Sequence, residues 1–73
     1  MDKWLVFHNN KLHSKFDKAT EFWVAYGSFP KNAYILWPNG NWNQETHISI
    51  REDYRLSEEE VPAIYRAMAL VHI

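Results

Sequence analysis

Seventy-three residues with no cysteine, four Trp, four Tyr and four Phe predict a single small domain stapled by aromatic packing, since disulfides are excluded. A formal net charge of −1 supplies no global attraction to nucleic acid or to an anionic membrane. No apolar run approaches the ~20 residues that cross a bilayer.

Lys3 to His8 (KWLVFH) is rich in β-branched and aromatic residues and predicts a strand. Asn9-Asn10 then signals a turn, because Asn tolerates left-handed backbone angles. The next stretch reads two ways. Leu12, Phe16, Ala19, Trp23 and Tyr26 recur at helical spacing, with Phe22 beside them, and predict a helix from about Lys15 to Tyr26. Ser14 or Asp17 would cap its start, and Gly27 would stand at C′. The alternative makes residues 20–26 a strand, since Thr-Glu-Phe-Trp-Val also suits a sheet.

Ala33 to Trp37 (AYILW) predicts a second strand, stopped by Pro38-Asn39-Gly40. Asn39-Gly40 is a hairpin signal in which both residues accept positive φ. The return strand is expected over Thr46 to Arg51, with 41–45 as a polar extended loop carrying Trp42 near its tip. The last element is the most sharply marked. Ser57-Glu58-Glu59-Glu60 has the form of a capping box, flanked by Leu56 and Val61 at hydrophobic-staple spacing. Three glutamates also suit the positive end of a helix dipole. Pro62 conflicts with a Ser57 cap, so regular helix is expected from about Val61, with Ile64, Ala67, Met68 and Val71 as its buried stripe. The order predicts an α+β fold: one domain over 1–73, an antiparallel sheet and a C-terminal helix.

Motifs for chemistry are sparse. His8, His13, His47 and His72 show no metal-ligand spacing. Ser14, Ser28, Ser49 and Ser57 sit in no nucleophile elbow, and two glycines make no phosphate loop. The carboxylates Glu52-Asp53 and Glu58-Glu59-Glu60 read as solvated charge. No catalytic residue, metal site or cofactor is predicted. The charge is asymmetric: residues 1–36 hold all five Lys and a net +2, and residues 37–73 hold all three Arg and a net −3. Lys3, Trp4, Phe7, Lys11, Lys15, Phe16 and Lys18 interleave bases with aromatics, as single-strand binders do. The bland counterpart puts those aromatics in a core and the lysines in water. Trp4, Trp42 and Tyr54 are candidate anchors for a protein partner, each weighed against ordinary packing.

The length and the opening Met1-Asp2-Lys3-Trp4-Leu5-Val6-Phe7-His8-Asn9-Asn10 resemble the small bacteriophage-encoded regulators of bacterial RNA polymerase, of the Xanthomonas-phage transcription inhibitor and antiterminator type. The resemblance covers the whole chain and has no diagnostic motif. It implies a non-catalytic protein that binds the large polymerase subunits beside nascent RNA. Such a protein displaces sigma from promoters, which blocks host initiation, and suppresses intrinsic termination. Its implied setting is the cytoplasm of the bacterial host, with no membrane and no small-molecule substrate. The amino-terminal basic-aromatic strand and its polar turn give the expected contact residues: Lys3, Trp4, Phe7, Asn10 and Lys11. The alternatives are a single-stranded nucleic-acid-binding domain and a phage inhibitor of another host factor.

Overall fold

A computed structural model describes residues 2–45 and 55–72. Six elements follow in order: β1 (Trp4–His8), β2 (Lys11–Phe16), α1 (Ala19–Tyr26), β3 (Tyr34–Leu36), β4 (Trp42–Gln44) and α2 (Ala63–His72). The strands form one four-stranded antiparallel sheet in the order β2-β1-β3-β4. This is the α+β architecture with an antiparallel sheet and a C-terminal helix that the sequence predicts. The expected return strand over Thr46 to Arg51 lies outside the described residues.

Strand alternation gives the sheet two apolar faces. Leu5, Phe7 and Leu36 point to one face, where Leu56, Val61, Tyr65 and Ala69 cover them. Val6, Ala33, Ile35 and Trp37 point to the other, covered by Phe22 of α1 and by Phe29. The sheet therefore lies between α2 on one face and α1 on the other. Both sides of β1 are buried, which is why Leu5-Val6-Phe7 is a continuous apolar run rather than an alternating one.

The hairpin between β1 and β2 turns on Asn9 (φ 52°) and Asn10 (φ 61°), the paired positive angles of a type I′ turn. Asn10→Ala removes the short polar side chain that lets Asn tolerate the left-handed backbone, leaving an ordinary residue to bear a penalty of up to about 1–2 kcal/mol. Urea denaturation of that variant is expected to show a loss of this size with an unchanged slope.

The predicted helix from Lys15 begins later, because residues 11–16 pair with β1. The register shifts by one residue between Val6 and Phe7: Phe7 faces Leu12 while Val6 faces Ser14, so His13 is an extra residue in β2. This bulge sends Leu12 to the α2 side and Phe16 to the α1 side although they are four apart. Helical spacing here is a bulged strand. Residues 20–26 are nevertheless helix, against the strand alternative. Neither Ser14 nor Asp17 caps α1: Ser14 is in β2, and Lys18 stands at the N-cap without a side-chain hydrogen bond. Gly27 ends the helix at φ −65°, so the left-handed turn a C′ glycine permits is not used.

At the second hairpin only Gly40 takes positive φ (88°). Its N–H donates to Trp37 C=O at 2.9 Å and Trp37 N–H donates to Asn41 C=O at 2.8 Å. The strand then resumes at once, so Trp42–Gln44 is β4 rather than a loop.

Before α2 the expected capping box is half formed and belongs to a turn. Glu60 N–H donates to Ser57 C=O (3.0 Å), and the Glu60 carboxylate accepts from Ser57 N–H (3.1 Å) and Ser57 Oγ–H (3.0 Å). The helix starts after Pro62, whose C=O accepts from Tyr65 N–H (3.0 Å) and Arg66 N–H (3.3 Å). The proline's missing donor thus costs no helical hydrogen bond, and the three glutamates precede the first turn instead of occupying it. Leu56 and Val61 are both buried in the core below α2.

The Ser57 backbone N–H, and then its hydroxyl, hold the Glu60 carboxyl below its ordinary range. A depressed folded-state pKa stabilises above the unfolded value, and the contribution is lost as pH falls through the folded one. Glu60→Gln is therefore expected to flatten the acid limb of melting temperature against pH below about pH 4.3. An acid limb as steep in the variant as in the parent would assign it to other carboxylates.

Candidate functional site

The five expected contact residues divide sharply. Phe7 is fully buried, stacked on Tyr65 (centroids 5.5 Å apart) and tilted against Trp42 (5.6 Å). Its side chain is a centre of the core and reaches no surface. Trp4 is half-buried and stacks on Phe22 at 5.8 Å. Asn10 is exposed, but its positive φ and its N–H, which donates to Tyr65 Oη at 3.1 Å, give it a structural task. Lys11 is exposed at the start of β2. Lys3 stands just before β1, its Nζ 4.0 Å from Asp17 Oδ1, a distance at which exposed ions gain little.

Of the basic-aromatic series, then, the aromatics pack and the lysines face water. Phe16 meets Phe22 edge-on at 6.0 Å and Phe29 at 5.9 Å, so it joins Trp4 and Phe7 among packed rings. Lys11, Lys15 and Lys18 are exposed. His13, also exposed, sets its Nδ1 2.6 Å from Ser14 Oγ. These residues lie on or beside β2, which is an edge of the sheet. The result is a basic edge strand without a stacking platform.

Trp42 lies in β4 against Phe7, not at a hairpin tip. Tyr54, His47 and the Glu52-Asp53 pair lie outside the described residues. Among those described, no group of three or more His, Cys, Asp or Glu side chains gathers as a metal would require. No helix of the described residues is long and apolar enough to cross a membrane.

The helices expose what the sequence reading buries. The stripe expected inside α2 was Ile64, Ala67, Met68 and Val71. Tyr65 and Ala69 are buried instead, and Met68 only packs against their cluster. The rotation follows from Tyr65. Its ring stacks on Phe7 and meets Tyr34 at 5.2 Å, while its hydroxyl finds a donor at the β1–β2 turn. Ala69, one turn on, is small enough to let the helix approach the sheet. Consequently Ile64 (46 % exposed), Leu70 (82 %) and Val71 (80 %) face solvent along with Ala63 and Ala67. On α1, Trp23 is 49 % exposed and Val24 86 %. Trp23 touches Phe22, Tyr26 and Trp37 by its ring, so one edge is anchored and the rest is open.

The described surface thus carries a basic edge strand and an exposed apolar face on α2. Sequence reasoning marks the lysines as exposed candidates but not the exposed Trp23, Leu70 and Val71. The surplus of aromatics over core capacity was a signal for Trp23. A second aliphatic stripe in α2, offset from Tyr65 and Ala69, was the signal for the other two. Comparison of the chain with protein-family models, curated proteins and solved structures finds no match.

Proposed function

We propose that this chain is a non-catalytic protein-binding regulator of bacterial RNA polymerase, which inhibits host initiation by displacing sigma and suppresses intrinsic termination. The observation that carries the binding part is α2, which seats Tyr65 and Ala69 on the sheet while leaving Ile64, Leu70 and Val71 in water. Isolated exposed apolar residues are ordinary, but a helical stripe of them is the usual mark of a partner. Polymerase as that partner rests on the resemblance of the length and of residues 1–10. In this reading the α2 stripe is the apolar anchor. Lys11 adds charge at the basic edge and Lys3 adds it just before β1, and Phe7, Trp4 and Asn10 hold the frame that presents them.

The test is capture of purified bacterial RNA polymerase, core and sigma-bound, on the immobilised chain, with promoter-directed transcription measured alongside. Retention of the large subunits together with sigma release and lost promoter transcripts is expected. Failure to retain either form refutes the reading. Salt-dependent binding to single-stranded RNA with no polymerase retention would favour the nucleic-acid alternative.

A further inference from the structure

We propose that the outer edge of β2 accepts a short, extended, acidic segment of a partner protein as an added fifth strand; this rests on the protein-binding reading above and specifies its chemistry. The two edges of the sheet are not equivalent. Beyond β4, Leu56 N–H donates to Trp42 C=O at 2.9 Å, so that side is already engaged by the chain. β2 has β1 as its sheet neighbour and, among the described residues, no strand on its other side. Alternate backbone N–H and C=O groups of an edge strand point outward and can template another strand. At six residues, β2 offers a line of about 20 Å.

Charge selects the occupant. Lys11, His13 and Lys15 are exposed along β2, and Lys18 follows it. The bulge places Lys11 on the α1 face and Lys15 on the α2 face, and a second copy is disfavoured because it would bring another set of the same cations to both faces of the seam. A strand carrying Asp or Glu on both of its faces meets Lys11 on one side and Lys15 on the other favourably. Single-stranded nucleic acid also carries negative charge, but its binders stack bases on open aromatics. Here the aromatics of β2 and its neighbour, Trp4 and Phe16, are engaged with Phe22 and Phe29, and the half-open Trp23 lies on α1 rather than along the edge. Edge lysines and a bulge are devices that stop indiscriminate strand pairing. With the bulge at His13, they admit a short segment of opposite charge and repel a long or basic one.

The probe is an acetylated eight-residue peptide of Glu-Glu-Thr-Thr repeats, which presents Glu on both faces, titrated into the ¹⁵N-labelled full chain with amide shifts and hydrogen exchange followed. Its Lys/Thr counterpart, a Glu/Thr peptide N-methylated at alternate residues and an oligouridylate are titrated in parallel. The Glu/Thr peptide is expected to shift and protect amides of residues 11–16. Lys11→Glu/Lys15→Glu should weaken it at least tenfold, and neither the Lys/Thr nor the N-methylated peptide should protect β2. Absence of perturbation at β2 overturns the proposal. So does equal binding of the N-methylated peptide, which would mean charge without strand pairing, or β2 shifts larger with oligouridylate than with peptide. Undiminished polymerase capture by the Lys11→Glu/Lys15→Glu variant removes this edge from the polymerase contact and leaves the polymerase reading standing. Peptide binding without polymerase capture does the reverse.

Discussion

Phe7→Ala is expected to remove a large share of the folding free energy of this domain. A buried Phe→Ala change costs about 3–5 kcal/mol through lost transfer energy and the cavity left behind. Phe7 lies at the severe end, fully buried and in ring contact with both Tyr65 and Trp42. At roughly 0.05–0.15 kcal/mol per residue, a chain this short has only about 4–11 kcal/mol in total. Loss of Phe7 also loosens the seat of α2, because Tyr65 stacks on it. Each kcal/mol moves the melting temperature of a domain of this size by about 4–8 °C, so a drop on the order of 15–30 °C is expected by circular dichroism. A variant that melts near the parent temperature yet loses its partner would return Phe7 to the contact surface and contradict its place in the core.

That prediction turns on a distinction the sequence leaves open. The strand around Phe7, the turn at Asn9-Asn10, the antiparallel sheet and a terminal helix, expected from about Val61 and found from Ala63, are all legible, because each rests on local chemistry: β-branched runs, residues tolerant of positive φ, and an apolar pattern that continues past Pro62. What is not legible depends on a neighbour. In β2, one extra residue at His13 changes the face parity, so Leu12 and Phe16 reach opposite sides of the sheet at a spacing that imitates a helix. In β4, the polar sequence Trp-Asn-Gln is held as a strand by β3, where Leu36 lies opposite Trp42.

The same limit governs the candidate site. KWLVF reads equally well as a basic-aromatic recognition strand and as a core strand with one flanking lysine. Only the sheet lying between two helices makes the choice, since it buries both sides of β1 and leaves Lys3 outside. For α2, two stripes compete: Ile64, Ala67, Met68 and Val71 by aliphatic count, or Val61, Tyr65 and Ala69 by fit. Aromatic partners on the sheet and the turn donor at Asn10 decide for Tyr65, and neither can be seen from residues 63–72 alone.

The exposed stripe of α2 gives the sharpest separation of function from fold. Leu70→Lys/Val71→Lys changes two side chains that are 82 % and 80 % exposed, so the stability change should stay within about 0.5 kcal/mol per site. Lysine near a helix C-terminus is also favourable with the dipole, which removes one ordinary objection to charge substitution there. Burying an exposed Leu or Val against a partner is worth about 1.5–3 kcal/mol each. If the proposed polymerase partner is held by this stripe, replacing both is expected to weaken its capture by roughly a hundredfold, since each 1.4 kcal/mol is tenfold. The measurement pairs titration of polymerase binding with urea denaturation of the same variant. Unchanged affinity would make the stripe a bystander and shift the contact to the basic edge or to Trp23. A fall in stability matching the fall in affinity would mean that α2 buries these residues within the domain, contrary to their exposure in the fold.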